Sequence, residues 1–136
     1  RPLLNSEPVS FRGEFFNVNG QVRVPGATAP QVLISALAPV MLRIAGELAD
    51  GTITWMAGLR AIESHVTPRI RKAAQEAGRP APRIIVGLPV VVTDDAAAAR
   101  EKAAQAFRVY GTLPNYQRIL ATSGADGPAD VAIVGN

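Results

Sequence analysis

An α/β fold built on a parallel β/α repeat is what this sequence predicts, and three observations carry that reading. Apolar runs of strand length centre on Leu33, Ile53 and Ile85. Segments with helical spacing separate them, and the connections between are short. Two strands joined through a helix normally lie parallel with a right-handed crossover, so at least three parallel strands with helices on their outer side are expected. A chain of 136 residues is long enough for one domain with a core of its own, without support from a disulfide or a metal.

Taken in order, Arg1 to Glu7 reads as the tail of a helix, with Asn5-Ser6 as its terminator. Phe11, Phe15, Phe16 and Val18 follow, interrupted by Gly13 and closed by Asn19-Gly20, which is the pattern of extended chain or a small hairpin. Adjacent Phe15 and Phe16 cannot share a strand face, so one is expected to pack inward and the other under a neighbouring element. Pro25, Gly26 and Pro30 make Gln21 to Pro30 an irregular approach to the first strand. Residues 1–30 as a whole are therefore expected to be an irregular or extended lead-in within the same domain as the rest.

Val32 to Ala36 suits a short buried strand, because Val and Ile favour the pleated backbone. Beyond Pro39, which fits a first helical turn, Met41, Leu42, Ile44, Ala45 and Leu48 form an apolar helix face while Arg43, Glu47 and Asp50 fall largely off it. Gly51 is read as the helix stop, and Thr52 to Met56 as a second strand ending at Ala57-Gly58. Leu59, Ile62, Val66, Ile70, Ala73 and Ala77 then keep one helical phase across Pro68. Either one long element kinked at that proline or a fresh helix capped by Thr67 satisfies the pattern.

RIIVGLPVVV, residues 83–92, is strand-like, yet Pro89 cannot donate in a ladder, so the segment should bulge, bend or leave the sheet near Leu88-Pro89. Thr93, Asp94 and Asp95 suit a helix start. Ala96, Ala99, Ala103, Ala106, Phe107 and Tyr110 make a narrow stripe, and Gly111 is read as its stop. Pro114 begins a shorter helix with Tyr116, Ile119 and Leu120, Gly124 to Pro128 is turn-rich, and Val131 to Val134 is apolar again.

Composition narrows the function. The chain has no cysteine, which excludes thiol catalysis and cysteine-ligated zinc or iron, and its single histidine, His65, makes no metal cluster. Of fourteen basic residues twelve are arginine, and against eleven acidic ones they leave a formal charge of +3. They are spread along the chain, with a loose group at Arg69, Arg71, Lys72, Arg79 and Arg83, and no nucleic-acid-binding pattern accompanies them. No run approaches the length of a membrane span, and a cytoplasmic setting is expected. The opening RPLLNSEP is neither a signal peptide nor a usual initiation sequence, so a preceding segment is expected. Asp94 and Asp95 are explained by capping rather than as an acid–base pair, and His65 is expected in a surface or supporting role.

The stretches ISALAPVMLRIAGELADGTITWMAG, RIIVGLPVVVTDDAAAAREKAAQAFRVYGTLPNYQRIL and GPADVAIVG resemble the later half of the luciferase-like flavin or deazaflavin oxidoreductases, closest to the branch using the 5-deazaflavin coenzyme F-420. The resemblance implies that residues 1–136 are the C-terminal part of a single (β/α)8 TIM barrel, since a complete barrel needs about 250 residues. It further implies hydride transfer between F-420, or less readily FMN, and a small organic substrate, in a protein that is commonly a homo-oligomer, with no nucleic-acid or membrane partner. FMN-dependent oxygenation and a non-catalytic module pairing through an open sheet edge are the alternatives.

By the same resemblance, the candidate cofactor-binding residues are Ser35, Ala36, Leu37 and Ala38 on the loop after the first strand, and Trp55, Met56, Ala57 and Gly58 on the loop after the second; catalytic residues are not identified. A physical argument favours the place independently: small residues let backbone N–H groups approach an anion, and the helix starting near Pro39 points its positive end there. Many relatives have glycine where this chain has Ala38, which restricts the loop if the position needs a positive φ. Trp55 and Met56 also fit ordinary packing, and Ala57-Gly58 an ordinary strand-to-helix turn.

Overall fold

Parallel pairing organises the chain in a computed structural model that describes residues 1–136. Contacts divide it into two compact units, Arg1–Gln31 and Val32–Asn136.

In the first unit a short 3-10 helix, Pro2–Asn5, ends at Ser6 in the left-handed region. β1 (Val9–Arg12) and β2 (Asn17–Gly20) then pair antiparallel. The lead-in is thus a hairpin followed by irregular chain. Its turn is closed by Gly13 N–H donating to Phe16 O at 2.8 Å. Phe15 and Phe16 fall in that turn, 83% and 74% exposed, so neither packs inward as expected.

In the second unit β3 (Leu33–Ser35), β4 (Gly51–Trp55) and β5 (Arg83–Gly87) form a parallel sheet in the order β3-β4-β5, as the three apolar runs predict. Ile34, Thr52 and Ile84 share one row; Ser35, Ile53 and Ile85 share the next and face the opposite way. Ile34 and Ile84 pack with Ala36 against Leu42 and Ala45 of α1 (Pro39–Leu48) and Val66 and Ile70 beyond. Helices therefore cover that face, while Ile53 on the other remains 44% exposed. Two buried threonine hydroxyls bond across the strands, Thr52 Oγ1 to Ile34 O at 2.8 Å and Thr54 Oγ1 to Ile85 O at 3.4 Å.

The buried face of α1 is Leu42, Ala45 and Gly46, not the full expected set, since Met41 and Leu48 are exposed. Gly46 sets this rotation by lying against the following helix. Gly51 is likewise the first residue of β4 rather than the helix stop; a Cβ there would run into the Arg83 backbone. Asp50, just before it, joins the amino ends of the strands: its carboxylate accepts from Val32 N–H at 2.8 Å and from Arg79 Nη2 at 3.1 Å, and its carbonyl accepts from Arg83 N–H.

From Leu59 to Glu76 the chain is one continuous helical run: α2 (Leu59–Ala61), a π turn (Ile62–Val66) and α3 (Thr67–Glu76). Thr67 is itself helical and its side chain caps nothing, so the capped-restart alternative is set aside. The break in regularity precedes Pro68, and Ala61 and Val66, five apart, are both fully buried because of it.

At Pro89 the strand does leave the sheet: β6 (Val90–Val92) pairs instead with β7 (Ile133–Gly135), in parallel. Between them α4 (Ala96–Ala106) is capped by Asp95, whose Oδ1 accepts from Ala98 N–H at 3.0 Å. Of its expected stripe, Ala96 and Ala106 are exposed and no α4 residue is fully buried. The helix stops at Phe107 rather than Gly111, passing into a 3-10 turn, Arg108–Thr112. α5 (Pro114–Ser123) follows, ended by Gly124 in the left-handed region. No helix is long and apolar enough to cross a membrane.

Candidate functional site

The carboxyl ends of β3 and β4 open into the two loops that carry the sequence candidates. On the first, Ser35 and Ala38 are exposed, Leu37 is half-buried and Ala36 is buried. Ala38 is the N-cap of α1 with φ −77° and ψ 149°, so it needs no glycine and the expected restriction does not arise. Alanine has no side-chain acceptor, and Pro39 follows. The N–H groups of Ala38, Val40 and Met41 consequently have no acceptor in the protein, while Ala38 O accepts from Leu42 N–H at 2.9 Å. These donors lie at the positive end of a ten-residue helix.

The second loop differs. Met56, Ala57 and Gly58 are buried under α5 and the segment after it. Met56 holds φ +58°, a left-handed conformation that costs a side-chain-bearing residue about 1–2 kcal/mol. Packing on Leu120 and Val131 and a bond from its N–H to Gly87 O at 3.2 Å maintain it. Gly58 N–H donates to Ser123 Oγ at 3.0 Å, and a Cβ on Gly58 would press on Ser123 and Val131 at 3.0–3.1 Å. Gly58 thus serves close packing, and its amide is engaged within the protein.

Trp55 stands edge-on to Phe107 and Tyr110, with centroids 5.9 and 6.0 Å away, and Tyr110 stacks edge-on with Tyr116 at 4.8 Å. The indole Nε1 is buried without an acceptor. Burial, with the neighbouring Tyr110 as the smaller cause, pushes the Tyr116 phenol above its ordinary value of 10.0, so Tyr116 is uncharged near neutral pH.

Against the amino end of α1 lies a cleft of about 440 Å³, lined by Leu37, Ala38, Pro39, His65 and one side of α5. Asn115, Arg118 and Thr122 supply that side and were not singled out from the sequence, although their spacing of three and four marks a polar face on a helix. Arg118 brings the cleft its cation, its Nε donating to Pro114 O at 3.1 Å. His65 Nε2 lies 2.8 Å from Leu37 O. The structure therefore brings the first candidate loop together with His65 and α5, and leaves the second loop beneath them. No group of three or more histidine, aspartate or glutamate side chains is placed to hold a metal.

Comparison with known proteins agrees with this architecture. The chain is similar over 92% of its length to a coenzyme F-420-dependent tetrahydromethanopterin reductase from Methanopyrus kandleri, at 23% identity and a TM-score of 0.67. It is similar over 99% of its length to an F-420-dependent secondary alcohol dehydrogenase in complex with an F-420–acetone adduct, at 18% identity and a TM-score of 0.63. The chain spans 37% of the first and 52% of the second. At these identities the likeness establishes the fold, part of a luciferase-like β/α barrel. A search of curated proteins gives no match. The model of one family, described as luciferase-like monooxygenase, matches residues 1–133, and the chain belongs to that family.

Proposed function

We infer that residues 1–136 are the C-terminal part of a single barrel domain and contribute the phosphate side of a deazaflavin or flavin site to an oxidoreductase. The observation that carries this is the uncapped start of α1: the N–H groups of Ala38, Val40 and Met41 have no acceptor and open beside a cleft that holds Arg118. Such a seat fits a phosphate, which takes several N–H donors at a helix start together with a nearby guanidinium. Ser35 and Ala38 lie at its accessible rim, Leu37 and Ala36 support them, and Met56, Ala57 and Gly58 form the packed base on which α5 rests. Trp55 belongs to the apolar wall beyond.

When bound, the cofactor would supply hydride transfer to or from a small organic substrate. This chain's share is to hold the phosphate and fix where the cofactor enters. No residue here is placed as a proton donor or base for the redox step, so that chemistry is assigned to the rest of the barrel.

F-420 is favoured over FMN because two structural neighbours are F-420-dependent enzymes, although the phosphate seat suits either. Titrating the complete protein separately with F-420 and FMN, and following the bound absorbance, is expected to give the lower dissociation constant for F-420. Tight FMN binding with no measurable F-420 binding would reverse the order and favour the monooxygenase reading.

A further inference from the structure

We propose that Met41, Ile44 and Leu48 form the seat of an amphipathic helix from the part of the barrel outside residues 1–136, the crossover helix of a further β/α unit beside β3. This rests on the barrel reading above and is independent of the phosphate seat. It assigns the side of the chain, and the residues, through which the rest of the barrel packs.

α1 is apolar on more sides than its packing within this chain uses. Leu42 and Ala45 are buried in the core with Ile34 and Ile84 of the sheet, and Gly46 lies against α3, where a Cβ would stand 2.6 Å from Ile70 O. At about 100° per residue, Met41, Ile44 and Leu48 fall together on the side of the helix opposite Gly46. There Met41 is 38% and Leu48 62% exposed, while Ile44 is half-buried. The side directed away from the sheet is a different one, held by Arg43 and Glu47, which pair at 2.9 Å. A surface helix with one buried stripe and one polar face is complete in water; a second apolar stripe beside them marks a second packed neighbour.

The topology identifies that neighbour. The three strands are parallel in the order β3-β4-β5, with α1 crossing from β3 to β4 and α2–α3 from β4 to β5. Right-handed crossovers lay such helices side by side in one layer, so α3 flanks α1 on the side of β5. The opposite face of α1 looks along the same layer past β3, the last strand of this sheet. In a β/α layer that place belongs to the helix of the adjoining unit, running alongside α1. The solved relatives are long enough to include such a unit, since this chain spans 37% and 52% of them. Met41, Ile44 and Leu48 extend over about 10 Å of helix axis, two turns, which suits a partner helix with apolar side chains at the same spacing of three and four.

The test uses the complete protein and reads how fast a reagent reaches this face. Residues 1–136 contain no cysteine, so Met41→Cys, Leu48→Cys and Arg43→Cys each add one thiol to compare with the unsubstituted protein. Labelling by a maleimide should be slower by about tenfold or more at Met41→Cys and Leu48→Cys than at Arg43→Cys, at every protein concentration. Should a substituted protein not fold, peroxide oxidation of the unsubstituted one reads the same face: Met41 should oxidise as slowly as Met56, which is fully buried within this chain. Equal labelling at the three positions, or Met41 oxidised well ahead of Met56, overturns the seat. Protection that disappears on dilution gives the face to a second copy and overturns it too. F-420 binding by the same samples separates this inference from the cofactor reading: binding without protection removes the seat alone, and protection without binding of F-420 or FMN keeps the seat and removes the cofactor reading.

Discussion

Gly46→Val is expected to cost about 4 kcal/mol, a large share of the roughly 5–15 kcal/mol that holds an ordinary domain folded. A Cβ on Gly46 would stand 2.6 Å from Ile70 O, 2.7 Å from Ala73 Cβ and 3.0 Å from Ala74 N. Two of these neighbours are backbone atoms of a packed helix and cannot swing away, so α1 and α3 must separate. Separation would open the cluster of Leu42, Ala45, Val66 and Ile70, on which β3 and β5 rest through Ile34 and Ile84. Even Gly46→Ala should destabilise despite a helix-propensity gain of about 1 kcal/mol. Gly135→Ala, where a Cβ meets nothing within 4 Å, should shift the urea midpoint little. Urea unfolding of the three variants checks the order; a Gly46→Ala chain as stable as wild type would contradict the close-packing account.

The second large effect concerns activity. The isolated 136-residue chain is expected to show no oxidoreductase turnover under conditions where the complete protein turns over. Its sheet has three parallel strands, with a separate pair beyond Pro89, and does not close on itself. Ile53 remains 44% exposed on the face opposite the helices. Hydride transfer requires donor and acceptor to be held in reacting geometry, and a phosphate seat alone does not fix both. Matched steady-state assays of the chain and the complete protein, with F-420 and substrate, give the answer. Comparable turnover would mean that the residues found here carry the chemistry as well.

Much of this was legible in the sequence because period and punctuation agreed. Leu33, Ile53 and Ile85 each lie within one of the three parallel strands, and Pro89 marks where the strand leaves the sheet. What sequence spacing did not reveal was set by tertiary packing. Gly46 turns α1 so that Met41 and Leu48 face out, and Gly51 opens a strand because Arg83 passes so close. Phe15 and Phe16 are apolar and yet lie in a turn. The site divided similarly. Small residues around Ala38 advertised an open helix start, but the same smallness at Ala57 and Gly58 serves packing under α5. His65 and Arg118 lie 28 and 80 residues beyond Leu37 and Ala38 in sequence, and only the fold brings them to one cleft.

The central claim is that cofactor phosphate is seated at the start of α1. Assigned amide resonances of the chain, followed while F-420 is added, test it most directly. The account predicts the largest shifts at Ala38, Val40 and Met41, smaller ones at Ala57 and Gly58, and no comparable change along β6 and β7. Saturating shifts that leave Ala38, Val40 and Met41 unmoved and cluster elsewhere, for example along β6 and β7, would contradict it.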